Sequence, residues 1–297
     1  MSIGSYLLNK ENLELVAKKS WKFGRAEILQ QGRRYYDMHP EDVEEIVNNM
    51  RYMRLPVTDS SLSLTLEHIV AHYFEKLFIL VKNYEAFWIA QKRIQISEEI
   101  LAYFSEARRD GKGLFLAEAH FGATYFLALA LNVRGITISS VGKFPPPVGP
   151  MLRQNMAGMA ARYHLGETTF LDLSTAETNA PMEMMSLFLQ KKVVSNVFDE
   201  NNQFCKVHEL LGRPIMGGTG MDLILRSFSD KDLIILTPFL ERNDAESFTL
   251  RVERHYLAAG NIIDSFFAAL GRAITRAPEQ WYFIRELAES IPPESAV

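Results

Sequence analysis

The amino-acid sequence predicts an α/β protein with a central, mostly buried β-sheet flanked by helices and preceded by an N-terminal helical region. Apolar residues recur at helical spacing through the first hundred residues, and short apolar segments typical of buried strands follow, with helical stretches between several of them. The chain has 297 residues, 47% of them apolar, which is enough for a sizeable core. We expect one domain over residues 1–297, with a helical front end over 1–110 and a catalytic α/β part over 111–285.

Three helices are well marked in the front end. The first begins at Pro40, which is followed by two acidic residues, and should stop before Pro56. The second lies within Ser61–Val81, where apolar residues recur every three or four positions and predict one broad buried face. The third begins near Ser97 and ends around the glycine-containing turn at Asp110.

The predicted strands are short apolar segments with few charges. Their ranges are 114–119, 136–141, 168–173, 193–198 and 233–239. Helical stretches over Met182–Gln190 and Asp222–Phe228 separate some of them. Thr249–Tyr256 alternates apolar and charged residues and is interpreted as an edge strand, and the last strong helix spans Ile262–Ile274.

Composition excludes several classes of protein. The formal net charge of −4 argues against a nucleic-acid-binding protein, and the single cysteine, Cys205, excludes an internal disulfide framework and a zinc site of several thiolates. The longest stretch without charged residues, Ala119–Val133, has 15 residues, fewer than the roughly 18–20 that a membrane-spanning helix needs. The N-terminus also lacks the features of a secretory signal. We therefore expect a cytoplasmic protein.

Familiar catalytic and metal-binding signatures are missing. The chain has no Gly-x-Ser-x-Gly sequence, and Gly135–Lys143 lacks the spacing of a phosphate-binding loop. His68 and His72 are one helical turn apart, but Ile69 stands where a metalloprotease has its glutamate. We interpret these histidines as ordinary helix residues and predict no metal site.

His120 is the main candidate for a catalytic residue, because it closes the predicted strand 114–119. Open α/β sheets bind ligands at the carboxyl ends of their strands, and a histidine near neutral pH can accept a proton from a hydroxyl or amine. We expect Gly122 to let substrate approach the backbone closely, and the amides that open the next helix to face a developing negative charge. A purely structural histidine is the alternative.

Four segments carry a family resemblance, in the same order as in the family. They are Gly113–Gly122, Phe198–Glu200, Leu211–Pro214 followed by Gly220, and Arg276–Trp281. Together they resemble bacterial lipid A late acyltransferases (the lauroyl/myristoyl acyltransferase family) and phosphatidylinositol mannoside acyltransferases, which belong to the lysophospholipid acyltransferase superfamily. The resemblance extends over about residues 20–285.

The resemblance implies a lysophospholipid acyltransferase-like fold and transfer of an acyl group from a thioester to a hydroxyl or amine. The donor would be the phosphopantetheine of an acyl carrier protein or coenzyme A, with no tightly bound cofactor, and His120 would be the general base. In the family, an acid five residues after the histidine orients it. Here that position holds Tyr125.

Three interpretations of Tyr125 stay open. Another acid orients the imidazole, either Asp199, which we favour, or Glu118, which an extended strand would point to the same side as His120. Alternatively, His120 works without an acid partner, aided at most by a hydrogen bond from the tyrosine hydroxyl. In the third interpretation the protein is a degenerate homologue that binds an acyl carrier or lipid without turnover.

The resemblance also suggests substrate-binding residues. These are Gly122, Tyr125, Lys143, Arg153, Glu200, Arg213 and Gly220, with Lys143 and Arg153 only loosely matched. Surface charges are the plain alternative for the two basic residues and for Lys191–Lys192, which otherwise suit a carrier protein's acidic surface. Pro278–Trp281 is interpreted as a family marker that packs on the sheet, and the apolar front helices as the walls of a tunnel for the acyl chain.

Family members that acylate lipid A usually carry an N-terminal membrane anchor, which we do not find in this sequence. We therefore expect a soluble or carrier-bound acceptor in a specialised or natural-product pathway. A membrane glycolipid, reached peripherally at the inner membrane, is the alternative acceptor.

Overall fold

The computed structural model of the chain describes residues 1–173, 179–200, 205–218 and 220–293. Its α-helices are α1 (Ile3–Leu7), α2 (Lys10–Lys18), α3 (Trp21–Met38), α4 (Pro40–Tyr52), α5 (Asp59–Val81), α6 (Asn83–Lys92), α7 (Glu98–Arg109), α8 (Leu127–Asn132), α9 (Val148–Tyr163), α10 (Ala180–Leu189), α11 (Gly220–Leu225) and α12 (Ile262–Arg276). Its strands are β1 (Ile94–Gln95), β2 (Gly113–Glu118), β3 (Ile138–Gly142), β4 (Thr168–Asp172), β5 (Val193–Val197), β6 (Cys205–Leu210), β7 (Arg213–Gly218), β8 (Leu233–Arg242) and β9 (Phe248–His255). Short 3-10 helices span Thr124–Phe126, Leu257–Ala259, Pro278–Gln280, Tyr282–Arg285 and Leu287–Ser290.

A seven-stranded, mostly parallel sheet lies at the centre, in the order β1-β9-β8-β2-β5-β3-β4. β2, β3, β4, β5 and β8 are parallel to one another, whereas β9 pairs antiparallel with β8. Helices flank the sheet, so the predicted α/β class with a central sheet is confirmed. The central strands β2 and β8 are almost wholly apolar and buried, as expected of strands covered on both faces.

Two features of the strands differ from the sequence prediction. The segment predicted as an edge strand, β9, is second from the edge, because Ile94 and Gln95 pair with it from outside. β6 and β7 form an unpredicted antiparallel hairpin, joined by Leu211 and Gly212. Both turn residues have positive φ, 53° and 72°, which suits a two-residue hairpin turn but is rare for leucine.

The front helices pack around α5, the longest helix. Thr58 and Ser61 form a reciprocal capping box that fixes its first turn. Gly32 of α3 lies directly against Val70 of α5, where any larger side chain would clash with the valine. Close approach at this glycine brings α3 and α5 together.

An aromatic cluster joins the front helices to the sheet. The Trp21 ring lies edge-on to Phe74 and Phe78 of α5, at centroid distances of 4.8 and 4.7 Å, and also to Phe126 and Phe248, at 5.8 and 6.2 Å. Edge-to-face packing at these distances is favourable beyond simple burial. Within the ranges that the structure describes, no helix is both long and apolar enough to cross a membrane.

Candidate active site

Two neighbouring strands deliver the central residues of the site. β2 ends at Glu118 and His120 follows two residues later, while β5 ends at Val197 and Asp199 follows two residues later. Because β2 and β5 are paired in parallel, both side chains emerge at the same edge of the sheet.

Asp199 holds His120 by its side chain and its backbone. The Nδ1 of His120 lies 2.8 Å from Asp199 Oδ1, and the backbone N–H of His120 donates to Asp199 Oδ2 at 3.0 Å. The Trp281 indole N–H points at Asp199 Oδ2 from 3.5 Å, and only 1% of Asp199 is exposed. A carboxylate placed in this way fixes the imidazole orientation and favours the tautomer protonated on Nδ1.

The other face of the imidazole meets a second acid and two aromatic rings. Glu200 Oε1 lies 3.4 Å from His120 Nε2, and 48% of the Glu200 side chain is exposed. The Phe283 ring stacks on the imidazole at a centroid distance of 5.1 Å, and the Tyr282 ring lies edge-on at 5.5 Å. Asp199 and the two aromatic rings therefore hold the imidazole in place, while 20% of the His120 side chain remains exposed.

The electrostatics of the site favour a protonated His120. Burial alone would lower its pKa, but the charge of Asp199 and the hydrogen bonds to Asp199 and Glu200 outweigh burial and raise the pKa to about 10. The pKa of Glu200 is lowered, first by its hydrogen bond to His120 and further by the charges of His120 and Lys143. At neutral pH the imidazolium is therefore held between two carboxylates.

A cavity of about 440 Å³ opens at this edge of the sheet. Its apolar lining residues are Ile69, Ile79, Ala128, Val141, Phe144, Pro145, Leu152, Met156, Phe170, Val197 and Phe283. Its polar and charged lining residues include His72, Lys76, Glu118, His120, Thr124, Ser140, Lys143, Ser195, Asn196, Glu200, Arg285 and Glu286. A pocket that combines an apolar wall with convergent polar groups suits a ligand with a hydrocarbon part.

Glu118 lines the cavity, where its carboxyl group hydrogen-bonds to Ser195. Burial raises its pKa to about 7, and the Ser195 hydrogen bond and the charge of His120 oppose this only in part. Within the described residues, Glu118 makes no hydrogen bond to the imidazole. Of the two candidate acids, the structure brings Asp199 onto His120 Nδ1 and leaves Glu118 in the cavity wall.

Tyr125 faces helix α5 rather than the imidazole. Its ring lies 5.0 Å from the His72 ring, and Lys76 Nζ lies 5.2 Å from its centroid. It lines the same cavity as His120. The side chain at position 125 is therefore directed away from His120 Nδ1, the atom that Asp199 contacts.

Gly122 does not have the expected geometry for close approach by substrate. Its φ is +66°, and a Cβ atom there would collide with the carbonyl oxygen of Leu240 on β8. Its N–H donates to the Gln280 carbonyl, and its carbonyl accepts from Arg242 Nη2 at 3.0 Å. A glycine is needed here because β8, not a substrate, approaches the backbone.

The amides after His120 are likewise engaged within the protein. The N–H of Phe121 donates to the carbonyl oxygen of Ala119, and the N–H of Ala123 donates to the carbonyl oxygen of Leu240. With the Gly122 N–H also engaged, these three amides are not free to bind an anion. The next helical turn begins at Thr124, so the anion-binding amides expected at its start stay a prediction.

The basic residues suggested by the sequence are placed unequally. Lys143 lines the cavity near Glu200. Arg153 pairs with Asp172 at 2.7 Å, and its guanidinium lies 5.8 and 5.9 Å from the rings of Phe144 and Phe170. Arg153 therefore supports a wall of the cavity from behind.

Arg213 and Gly220 are not brought to the cavity. The Arg213 guanidinium lies over the Tyr52 ring at 5.4 Å, where the hairpin packs on α4, and Gly220 begins α11. Lys191 and Lys192 are exposed at the end of α10. Thr219, which precedes Gly220 in the glycine-rich segment, lies outside the described residues.

Sequence reasoning missed a buried polar network behind His120. Arg242 Nε and Nη2 donate to the two carboxylate oxygens of Glu75, each at 2.7 Å, and both side chains are under 5% exposed. The side-chain amide of Gln280 binds the backbone N–H and carbonyl of Arg242 at 2.8 and 3.0 Å. The sequence signal that could have predicted this network is the presence of two opposite charges, Glu75 and Arg242, in the apolar segments that form α5 and β8.

The histidines of α5 are packed in the interior. His68 Nδ1 lies 3.3 Å from Arg242 Nη1, and the His72 ring stacks on Tyr282 at 3.7 Å. Burial lowers the pKa of His68 to about 3 and that of His72 well below its usual value, so both are neutral. Among the residues that the structure describes, no three ligating side chains are grouped around a metal position.

The chain matches no protein-family model and no curated protein. A histidine with a buried acid on Nδ1 and its Nε2 facing a partly apolar cavity can act as a base towards a bound nucleophile when Glu200 moves away from Nε2.

Proposed function

We propose that the protein is an acyltransferase of the lysophospholipid acyltransferase type, which moves an acyl group from a thioester to a hydroxyl or amine. The supporting observation is the Asp199–His120 pair, whose Nε2 faces the cavity. The four family-like segments add support, because two of them supply His120 and Asp199 and a third supplies Gln280 and Trp281 behind them.

In this proposal, Asp199 holds the Nδ1–H of His120 and Nε2 takes the proton of the acceptor. The acceptor attacks the thioester carbonyl, and the collapsing tetrahedral intermediate receives the proton on its departing thiolate. Because the amides of Phe121, Gly122 and Ala123 are engaged, we assign Lys143 as the charged group that stabilises the oxyanion.

The donor in this proposal is coenzyme A or an acyl carrier protein that carries phosphopantetheine, and no tightly bound cofactor is required. Its acyl chain would lie against the apolar wall, which α5 shares with α9 and with the residues after β3. The acceptor would be a soluble or carrier-bound intermediate of a specialised pathway in the cytoplasm. A membrane glycolipid reached from the membrane surface is the alternative.

The test is acyl loss from decanoyl-coenzyme A and decanoyl-carrier protein, followed by mass spectrometry with a panel of alcohol and amine acceptors. We expect His120→Gln to reduce transfer by a factor on the order of 10²–10⁴. His164→Asn, which changes an exposed histidine outside the cavity, is the matched control. Equal transfer by His120→Gln and wild type would contradict the proposal.

One observation favours a second candidate, a homologue that binds acyl thioesters without turnover. Carboxylates meet both ring nitrogens of His120, which leaves no free nitrogen to act as a base. This candidate would be supported if the protein bound the decanoyl thioesters stably and transferred no acyl group to any acceptor. His120→Gln should then leave the binding affinity unchanged.

A further inference from the structure

We propose that the acceptor is a primary amine, which enters as its ammonium ion and is recognised by Glu200 at the Nε2 side of His120. This inference rests on the proposed acyl transfer and narrows its acceptor class. Glu200 Oε1 lies 3.4 Å from His120 Nε2. An acceptor must bind at this same position to give its proton to Nε2.

Glu200 is suited to bind a cation from the cavity. It lines the cavity, half of its side chain is exposed, and its carboxylate is kept ionised by His120 and Lys143. Within the described part of the chain, His120 is its ion-pair partner, and no lysine or arginine forms an ion pair with it. A cation that displaces the imidazolium from Glu200 thus has an accessible carboxylate to bind.

The charge balance separates an amine from an alcohol. An ammonium ion that binds Glu200 replaces the charge of the imidazolium, so His120 can release its proton and become the base without leaving Glu200 unpaired. A neutral alcohol brings no charge. To bind at Nε2 it would have to displace Glu200 from the imidazolium, and a charged carboxylate is a stronger hydrogen-bond partner for the imidazolium than a neutral hydroxyl group. The ground state therefore disfavours an alcohol acceptor.

Among the described residues, the other cations of the cavity form no ion pair with Glu200. Glu118 adds a third carboxyl group, and Lys143 is the cation near Glu200. Lys76 lies against Tyr125, and Arg285 pairs with Glu286. The surroundings of Nε2 therefore favour a positively charged partner.

The reaction balances with one proton released. The bound ammonium passes one proton through Glu200 to water, and the free amine forms a C–N bond with the thioester carbonyl carbon. His120 takes a second proton from the attacking nitrogen, the C–S bond breaks, and His120 gives that proton to the thiolate. His120 released its own proton to water when the ammonium bound, and it takes one back from water after the thiol leaves. The net products are therefore an amide, a thiol and one proton.

The experiment offers the protein decanoyl-coenzyme A or decanoyl-carrier protein with equal concentrations of octylamine or 1-octanol. Octylamine is almost fully charged near pH 7.5, as a lysine side chain is. We expect at least about tenfold more amide than ester, and Glu200→Gln should lower amide formation at least about tenfold without lowering ester formation. Glu209→Gln, at an exposed glutamate on β6, should leave both rates unchanged.

A second measurement follows the His120 ring by NMR at pH 7.5. Octylamine should shift its signals from the imidazolium towards the neutral form, and 1-octanol should not. Ester formation that exceeds amide formation, or equal loss of both in Glu200→Gln, overturns the amine proposal and leaves the acyltransferase proposal standing. Absence of any product that depends on His120 overturns both.

Discussion

Arg242 and Glu75 form a bidentate, fully buried ion pair directly behind the turn that carries His120. Arg242 also donates to the carbonyl oxygen of Gly122, so the pair links α5, β8 and the turn. Because a buried charge without its partner is poorly solvated, the pair fixes the turn only while both residues are present.

We expect Arg242→Met to lower the free energy of unfolding by about 3–5 kcal/mol, because it leaves the Glu75 carboxylate buried alone. The double variant with Glu75→Leu should be more stable than Arg242→Met. Urea unfolding measures both, and Lys18→Gln, which breaks the exposed pair with Glu14, should cost less than about 1 kcal/mol. Equal costs for the buried and exposed pairs would contradict this account.

Gly122→Ala should destabilise the protein by about 2–5 kcal/mol, because it adds a clash with the Leu240 carbonyl to an unfavourable positive φ. Gly135→Ala is the matched control. Its φ is +76° but no atom lies near the added methyl group, so only the backbone cost of about 1–2 kcal/mol should remain. Thermal or urea unfolding compares the two, and a smaller loss in Gly122→Ala would show that β8 does not approach this turn closely.

Much of the sheet could be predicted from the sequence because its strands are short apolar segments bounded by turns. β8 continues three residues beyond the prediction because Glu241 and Arg242, which end the apolar pattern, are both paired with opposite charges. The β6–β7 hairpin was missed because its turn places Leu211 at positive φ, a conformation that leucine rarely signals.

The site was predictable only in part. His120 and Asp199 both follow predicted strands of one α/β sheet, which is why they could be proposed to converge; the structure shows that these two strands are parallel neighbours. The neighbour of Gly122 could not be, because Leu240 is distant in sequence and its position depends on the strand order. Gln280 and Trp281 reach the site through bonds to Gly122 and Asp199, which no local pattern at the C-terminal end indicates.

Asp199→Asn should lower acyl transfer by a factor on the order of 10²–10⁴ and lower the pKa of His120, because it removes the main charge that keeps the imidazole protonated. NMR titration of the ring signals measures the pKa. The control is Asp264→Asn, which removes the acid from His208, a buried histidine paired at 2.6 Å outside the cavity. An unchanged His120 pKa in Asp199→Asn would show that Glu200 alone determines its protonation.

Glu118→Gln tests a pH dependence. Because burial raises the pKa of Glu118 to about 7 from 4.5, the native state resists its ionisation, and the wild type loses stability as the pH rises through this interval. The variant carries no such group, so its stability relative to wild type should increase from pH 5 to pH 8 and stay constant above that. Urea unfolding at both pH values measures the difference, and a pH-independent difference would contradict the burial of this carboxyl group.

Tyr125→Glu restores an acid five residues after His120, as the family resemblance would require, yet we expect no gain in transfer and a loss of several-fold. The side chain at this position faces His72 and Lys76, and Asp199 already holds Nδ1, so a new carboxylate would pair with the lysine and not with the imidazole. Tyr125→Phe, which keeps the ring, should transfer at nearly the wild-type rate. The sharper comparison is Tyr125→Glu in the Asp199→Asn background. Recovery of transfer in that double variant would mean that a carboxylate at position 125 can reach His120. We expect no recovery, because position 125 faces His72 and Lys76 of α5.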